Sequence, residues 1–252
     1  MTGDTSGSVR LEVDGPLARL VLDRPRKRNA LSTHMLTALD DQLSIIADSP
    51  DIRVVVVQGE GTVFCAGADT VEFASLASET IRGRWTRLGQ RVFGTLAGLP
   101  QTTIAALHGS AFGGGLELAL HCDFRVAAPG IGLGLPEATL GTTPGWSGLS
   151  RVLGIAGPAA ARMLALTGRT LSAEDALRLG IVDIVAAATA DSVQQLVDDL
   201  LRTTPIAQSI LKQTLAQHSP TATAGLIDSL AGAYLAESGE TIPTTTFRRR
   251  LS

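Results

Sequence analysis

Three consecutive glycines, at positions 113–115, constrain this chain more than any other stretch of its sequence. Glycine loses more conformational freedom on folding than any other residue, so a run of three indicates a place where the backbone itself must come close to something. Glu117 follows at once, and the apolar residues 118–120 indicate a buried helix. We therefore expect the glycines at or near the N-terminus of a helix.

The N–H groups of these glycines would be unpaired and close to the positive end of a helix dipole, which favours an anion. With Glu117 two residues beyond the last glycine, oxyanion donors and an acid/base group would share one place. An enzyme that activates a carbonyl group needs these parts. The alternative is a tight turn that packs a helix on a sheet, with Glu117 on the surface.

Composition excludes several classes of protein. The chain of 252 residues is 44% hydrophobic with a net charge of -3, so nothing indicates binding to nucleic acid or to an anionic membrane. It has no run of about 18 uncharged apolar residues, and its start, MTGDTSGSVR, does not resemble a signal peptide. Cys65 and Cys122 lack a metal-ligand spacing, and we expect buried thiols in a cytoplasmic protein.

The periodicity of the first 60 residues predicts an α/β fold. Residues 9–13 alternate apolar and polar side chains, and residues 17–22 run back after a turn, which is typical of a β-hairpin. Residues 53–58 form a β-branched run typical of a strand buried on both faces. A helix between buried strands indicates crossover connections. Ser32 is placed to cap that helix, whose apolar face is Met35, Leu36, Leu39, Leu43 and Ile46.

The later residues predict a second helix, a further strand and a helical end. The strand covers residues 102–107 and leads into the glycines, whereas residues 130–148 are rich in Gly and Pro and are expected to be mainly loop. We expect a core with the active site at residues 1–190 and a C-terminal helical oligomerisation segment at 191–252. Its apolar residues are expected at an interface between subunits: Leu196, Leu200, Leu226, Leu230 and Leu235. The second helix has one apolar face, formed by Ile81, Trp85, Leu88, Val92 and Leu96.

A second glycine-rich loop, residues 59–68, follows the first buried strand, and a second carboxylate, Glu137, lies in the later loop. Backbone donors from two different loops make a natural oxyanion hole. Two carboxylates in one pocket have their pKa values pushed apart, which provides a general acid and a general base.

Other functional motifs are absent or incomplete. Nucleotide-phosphate motifs are absent, and Ser147 is a near miss for a nucleophile motif. The histidines show no metal-like spacing, so no metal site is expected.

The sequence also resembles the crotonase family, which contains enoyl-CoA hydratases and isomerases. The resemblance covers nearly the whole chain and implies an α/β fold with a crotonase-like ββα spiral core and a C-terminal helical segment. It also implies a homotrimer or a dimer of trimers. Five segments in the family's order carry it: RPRKRNALS (24–32), FCAGADT (64–70), HGSAFGGGLELALHCDFRVA (108–127), LPEATLGTTPGWSG (135–148) and LSAEDALRLGIVD (171–183).

This resemblance implies roles for individual residues. The N–H groups of Ala68 and Gly114 would form the oxyanion hole for a thioester carbonyl. Glu117 and Glu137 fall at the positions of the two catalytic glutamates of the hydratases. The Gly145 N–H falls where a backbone donor helps to hold the reacting water.

An acyl-CoA thioester is the substrate that the resemblance implies. Its CoA part would lie against the loop of Ala66, Ala68 and Asp69, where Asp69 has a mainly structural part. Val71 stands where many relatives place a lysine close to the CoA adenine and phosphates. The positive charge is then expected from Arg24, Arg26, Arg28 or, from a neighbouring subunit, Arg250.

The implied chemistry is the addition of water to a 2-enoyl-CoA, as in fatty acid β-oxidation, without a metal or redox cofactor. Two alternatives stay open. One is another crotonase reaction, such as isomerisation, hydrolysis or decarboxylation, and the other is an acyl-CoA-binding protein without turnover. Two glutamates favour the hydratase, because an isomerase can work with one and a binding protein gains nothing from burying either. Leu135 and Trp146 depart from the hydratase pattern and leave the substrate's identity open.

Overall fold

Strands in two sheets form the frame of the fold. The larger sheet combines the predicted hairpin with parallel strands, and in it every neighbouring pair after the hairpin is parallel. The computed structural model describes residues 6–216. Its strands are β1 (Ser8–Asp14), β2 (Leu17–Asp23), β3 (Val54–Gly59), β4 (Thr102–Leu107), β5 (Ala111–Phe112), β6 (Phe124–Ala127), β7 (Gly132–Gly134), β8 (Thr170–Ser172) and β9 (Ile184–Val185). The orders are β1-β2-β3-β4-β6-β9 in the larger sheet and β5-β7-β8 in the smaller.

Helices alternate with these strands, and the predicted α/β fold is confirmed. Ser32 caps the first helix by accepting a hydrogen bond from the Met35 N–H, as predicted. Short 3₁₀ turns lie at Pro25–Lys27 and Glu137–Leu140. The helices are α1 (Thr33–Ala47), α2 (Thr70–Ser75), α3 (Ser78–Thr80), α4 (Thr86–Gly98), α5 (Gly114–Leu120), α6 (Gly148–Thr167), α7 (Ala173–Arg178), α8 (Thr189–Leu201) and α9 (Pro205–Ala216).

Hydrophobic packing explains why β3 lies at the centre. Successive side chains of a strand point to opposite faces of the sheet. Val55 and Val57 join the cluster that contains the apolar faces of α1 and α4. Val54 and Val56 join a second cluster, to which α8 contributes Val193. The strand is therefore covered on both faces, as its β-branched run predicts.

The predicted C-terminal segment is described as far as residue 216, and α8 is a layer on the sheet. In α9, the Lys212 ammonium lies 2.7 Å from the Asp123 carboxylate. Leu196 and Leu200 are partly buried against the sheet, so these two residues do not support the predicted subunit interface. Three further residues that enter that prediction, Leu226, Leu230 and Leu235, lie outside the described residues.

The small sheet was not predicted. Residues 130–148 are mainly loop, as expected, but they also contain β7 and a 3₁₀ turn. β7 pairs with β5 in parallel and with β8 antiparallel. Strands of two or three residues are too short to show a period in the sequence. The sheet matters for the site because the Gly113 N–H donates to the Gly134 carbonyl at 2.9 Å.

A π-helical turn, Ile81–Trp85, joins α3 to α4. The predicted second helix is confirmed, but its first part is irregular. A π turn adds one residue to a helical turn and often occurs at functional sites. Trp85 ends the turn and is only 7% exposed. The turn thus places a large ring inside the molecule.

Helix α6 is long and apolar enough, by length and composition, to cross a membrane. It contains Arg151 and Arg162, and it is interrupted where Gly157 has a φ of 75° before Pro158. Its buried side includes Val152 and packs against α5. Core helices of globular proteins share these properties. We interpret α6 as a helix of this core whose outer side is apolar.

Asn29 holds the basic loop between β2 and α1 in place. Its side chain is fully buried, and its Nδ2 donates to the carbonyl groups of Glu60, Val63 and Phe64 at 2.9, 2.8 and 3.2 Å. Its Oδ1 accepts from the Arg24 N–H at 2.9 Å. One side chain therefore fastens this loop to the second glycine-rich loop.

We predict that Asn29→Ala lowers the free energy of unfolding by about 3 kcal/mol, because each buried group left without a partner costs about 1–3 kcal/mol. Urea denaturation measures this change. Gln194→Ala, on the exposed side of α8, is the control and should change stability by less than about 0.5 kcal/mol. An Asn29→Ala protein as stable as the control variant would contradict this account of the loop.

Candidate active site

Two glycine-containing loops meet at the start of α5. Gly113 precedes the helix with a φ of 51°, in the left-handed region that favours glycine. A Cβ on Gly67 would lie 2.6 Å from the Phe112 carbonyl oxygen and 3.1 Å from the Gly114 nitrogen. A Cβ on Gly114 would lie 3.4 Å from the Ala68 nitrogen. The loops can touch because these Cβ atoms are absent.

The N–H groups of Ala68 and Gly114 are available to a ligand. Within residues 6–216, neither donates a hydrogen bond to a backbone carbonyl. Both residues line one cavity, which Ala66 also lines. Two donors from different loops beside one cavity make the arrangement of an oxyanion hole.

The loop that carries Ala68 is held by the basic loop before α1. The Leu31 N–H donates to the Gly67 carbonyl at 2.7 Å, and the Asp69 N–H donates to the Leu31 carbonyl at 2.9 Å. Arg24 lies 2.7 Å from the Asp69 carboxylate, which also caps α2. Burial raises the pKa of Asp69, but the hydrogen bonds from Arg24 and the α2 N–H groups outweigh it and lower that pKa. Asp69 is therefore a carboxylate that fixes the loop.

The arginines predicted to meet CoA have different surroundings. The Arg24 side chain is only 10% exposed and is engaged with its carboxylate partner. Arg26 and Arg28 lie on the exposed 3₁₀ turn after β2 and at its end. Val71, at the position of the missing lysine, is 73% exposed. Arg250 lies outside the described residues.

Glu117 lies inside the molecule with one carboxylate oxygen held by backbone donors. It is 1% exposed, and its Oε1 accepts from the N–H groups of Trp146 at 2.9 Å and Gly148 at 2.8 Å. The pKa of Glu117 is raised to about 7, mainly because the carboxyl group is buried. The N–H groups of Gly148, Trp146 and Gly145 lower this pKa, and the negative charge of Glu137 raises it further. A Cβ on Gly148 would lie 2.2 Å from the Glu117 Cγ. Only glycine therefore leaves room for this carboxylate.

Glu137 begins the 3₁₀ turn after β7 and faces Gly113, the residue directly before α5. A Cβ on Gly113 would lie 2.8 Å from the Glu137 Oε1. Its Oε2 is buried, and no described residue forms a hydrogen bond with it. Burial raises the pKa of Glu137, and its own N–H lowers it less. A buried carboxyl oxygen without a donor favours the protonated acid or a ligand that supplies a partner.

The two carboxyl groups therefore have different surroundings in one cavity of about 400 Å³. Backbone donors favour the ionised form of Glu117, whereas Glu137 lacks a donor on one oxygen. Their charges interact, so the pair titrates as a unit. The cavity brings together the five residues predicted for catalysis: Ala68, Gly114, Glu117, Glu137 and Gly145.

Two residues of this site, Gly148 and Trp85, were not predicted to belong to it. Gly148 appeared only as the last residue of the segment 135–148, without a role, yet it leaves the space for Glu117 and donates to it. Trp85 appeared only as part of an apolar helix face, yet its ring lines the cavity. The available signal for Gly148 was its place directly after Trp146 and Ser147. Nothing in the helical period indicated that Trp85 would line the cavity.

Within residues 6–216, no three His, Cys, Asp or Glu side chains are grouped to hold a metal ion.

The family model described as enoyl-CoA hydratase/isomerase matches residues 12–229. The chain belongs to this family. The resemblance that the five segments carry is thereby confirmed. The predicted catalytic glutamates and backbone donors lie within the matched range.

Known members of the family resemble the whole fold. The chain is 37% identical to the crotonyl-CoA hydratase of Syntrophomonas wolfei subsp. wolfei over 179 aligned residues. The aligned stretch covers 71% of this chain and 68% of that protein. The enoyl-CoA hydratase structure from Bacillus anthracis matches with a TM-score of 0.87 and 31% identity over 91% of each chain. That from Mycobacterium smegmatis matches with a TM-score of 0.90 and 25% identity over 96% of each chain. The predicted crotonase-like fold is confirmed.

The raised pKa of Glu117 predicts a pH-dependent cost to stability. Below its ordinary value of 4.5 the group is protonated whether the chain is folded or not, so it costs nothing. The cost grows up to the folded value of about 7 and is then constant, at about 3 kcal/mol. Glutamine does not ionise. We therefore predict that Glu117→Gln gains about 3 kcal/mol of stability over the wild type between pH 4 and pH 8.

Urea denaturation of both proteins at the two pH values measures this gain. Glu12→Gln is the control, because its carboxylate lies on the exposed strand β1. It should show a pH-dependent difference of less than about 0.5 kcal/mol. If Glu117→Gln follows the control, the carboxylate is not held in the buried environment described above.

Proposed function

We propose that this chain adds water across the 2,3 double bond of a 2-enoyl-CoA thioester to give a 3-hydroxyacyl-CoA. One observation carries the proposal: two buried carboxyl groups share a cavity with two free N–H groups from different loops. Water addition needs both a group that accepts a proton and a group that gives one. The names of the relatives, crotonyl-CoA hydratase and enoyl-CoA hydratase, agree with this reaction.

The oxyanion hole begins the proposed reaction. Ala68 and Gly114 donate their N–H groups to the thioester oxygen, which withdraws electron density from the β-carbon. As the C–O bond forms there, negative charge moves to the thioester oxygen. Because the donors are already in place, each is worth a factor of about 10²–10³ in rate.

Glu117 is the general base of this scheme. Water lies between the two carboxyl groups, and its oxygen attacks the β-carbon while Glu117 takes one of its protons. The N–H groups of Trp146 and Gly148 hold one oxygen of Glu117 and leave the other to face the water. The Gly145 N–H, beside them, is proposed to help to position that water.

Glu137 is the general acid. The enolate-like intermediate collapses when Glu137 delivers its proton to the α-carbon, so the two hydrogens and the oxygen of one water are accounted for. Glu117 ends protonated and Glu137 ionised, and proton exchange with solvent restores the starting pair. These steps use no metal ion and no redox cofactor, and CoA enters only as part of the substrate.

Two other functions compete with this proposal. A double-bond isomerase, or another crotonase reaction, can work with one carboxyl group that moves a proton. A protein that only binds acyl-CoA has no use for two carboxyl groups buried at a desolvation cost. The geometry of the pair favours hydration over both.

We predict that Glu117→Gln and Glu137→Gln each lower kcat for a 2-enoyl-CoA by at least about 10², the low end for acid/base groups. Affinity for a saturated acyl-CoA should persist, because the oxyanion donors are backbone groups. The double variant should be little worse than the worse single variant, since the two residues act as a unit. The loss of enoyl absorbance measures turnover, and calorimetry measures binding. Glu12→Gln is the control and should keep wild-type kcat.

Different outcomes would select a different function. If only one glutamate matters and the product has a shifted double bond, the protein is an isomerase. If both variants still hydrate the enoyl-CoA at the wild-type rate, the two-carboxyl mechanism is wrong.

We also propose that exposed arginines supply the charge missing at Val71. Arg26 and Arg28 are free of the buried ion pair that engages Arg24, and they meet phosphate charge best. Each Arg→Ala change, and that of Arg250, should weaken binding of free CoA by an amount that falls with added salt. Titration calorimetry measures the affinity, with Arg202→Ala on the exposed end of α8 as the control. If these changes and Arg24→Ala all leave the affinity unchanged at low salt, the assignment is wrong.

We further propose a homotrimer or two stacked trimers. The outer side of α6 supports an interface between subunits, because large apolar patches on a protein surface mark interaction sites. Sedimentation equilibrium at micromolar concentration should give the mass of three or six chains, and a monomer would rule the proposal out. The exposed apolar residues of α6 are Leu149, Leu153, Ile155, Met163 and Leu166.

We propose the cytoplasm as the compartment and fatty acid β-oxidation as the setting. Cys65 and Cys122 are free, buried thiols, which agrees with a reducing compartment. Cell fractionation tests the first statement. Growth of a deletion strain on fatty acids tests the second, and normal growth would speak against it.

A further inference from the structure

Aromatic rings close the buried end of the active-site cavity. The ring centroids of Trp85 and Trp146 are 4.6 Å apart, and those of Phe73 and Trp85 are 5.2 Å apart. All three residues line the cavity. Trp85 is 7% exposed and Trp146 is 1% exposed, so these two rings form its inner wall.

Trp146 is fixed in a slot that two glycines leave open. A Cβ on Gly89 of α4 would lie 2.2 Å from the Trp146 Nε1, and a Cβ on Gly114 would lie 2.3 Å from its Cζ3. Phe93 packs behind the indole, with ring centroids 5.3 Å apart. The indole therefore cannot move towards α4 or α5 to admit a longer ligand. The backbone N–H of Trp146 donates to Glu117. Trp146 therefore contacts the proposed base through its backbone and forms the cavity wall with its indole.

The thioester has only one way to lie in this cavity if its oxygen meets Ala68 and Gly114. The CoA part is large and charged, so it must leave through the exposed mouth, which Thr70, Ala74 and Leu140 border. The acyl chain then extends from the carbonyl carbon in the other direction, towards the buried rings. At about 400 Å³, the cavity is near the small end of about 300–1,000 Å³ for ligand sites.

We infer that Trp146 sets the acyl-chain limit of the enzyme, closing the cavity behind a short unbranched 2-enoyl group. This inference rests on the proposed function, since it assigns the acyl substrate of that site. Trp146 is a specificity-determining residue here, because its indole meets the end of the acyl chain and does not meet the reacting atoms. Trp85 supports it from the π turn by packing against its ring.

The test compares acyl chains of different length in the wild type and in Trp146→Ala. In the wild type, kcat/KM should fall by at least about tenfold from 2-butenoyl-CoA to 2-octenoyl-CoA, because single methylene groups in a closed pocket are worth about 10–200-fold. Trp146→Ala should raise the octenoyl-to-butenoyl ratio at least about tenfold. The ratio is insensitive to a fraction of unfolded enzyme, which lowers both values alike. Phe93→Leu is the matched control, since it removes a buried ring behind Trp146 that does not line the cavity.

The inference is wrong if the wild type accepts both chains equally, or if Trp146→Ala changes the ratio no more than Phe93→Leu does. Calorimetry with butyryl-CoA and octanoyl-CoA gives the same comparison without turnover. A protein that hydrates no enoyl-CoA fails the proposed function, and the binding ratio then still decides the role of Trp146. If Trp146→Ala does not fold, Trp146→Leu and Trp146→Phe decide it, with a larger rise in the ratio expected for leucine.

Discussion

The close approach of the loop at Gly67 to the start of α5 is the contact on which the rest of the site depends. A Cβ on Gly115 would lie 2.2 Å from the Cys65 carbonyl oxygen, and a Cβ on Gly67 would lie 2.6 Å from the Phe112 carbonyl oxygen. These neighbours are backbone atoms, which cannot rotate away as side chains can. A side chain at either glycine would therefore separate the loops and, with them, the two N–H donors. Glycine carries a high conformational cost on folding. At these positions that cost allows the backbones to approach and fixes the N–H groups of Ala68 and Gly114, and the glycines do not serve to make the loops flexible.

The same region carries polar groups that oppose folding. Glu117 is buried with a raised pKa, and the Glu137 Oε2 has no partner among residues 6–216. Such groups cost free energy when they are removed from water, and the apolar packing on both faces of β3 offsets that cost. The pKa shifts are thus the chemical result of where the sheet and helices place these two side chains. A general acid and a general base follow from burial, which raises both pKa values, and from the unequal supply of backbone donors.

Local patterns made part of this structure predictable. The hairpin, β3 and α1 follow from periods of two and 3.6, with Ser32 as the helix cap, and the glycine run with Glu117 indicated the site. The hydrogen bond from Trp146 to Glu117 joins residues 29 apart, so no local pattern contains it. The small sheet and the π turn are too short to leave a period. Leu196 packs partly against the sheet, and the sequence could not indicate this, because an apolar side chain packed on a sheet and one at a subunit interface look alike in sequence.

The central claim is that the two carboxyl groups and the two N–H donors add water to an enoyl thioester. Incubation with crotonyl-CoA in ¹⁸O-labelled water, followed by mass analysis of the thioester, tests it most directly. The account predicts a 3-hydroxybutyryl-CoA that has gained one water with the heavy oxygen on carbon 3. An isomer of unchanged mass, free CoA from hydrolysis, or unreacted crotonyl-CoA would contradict it.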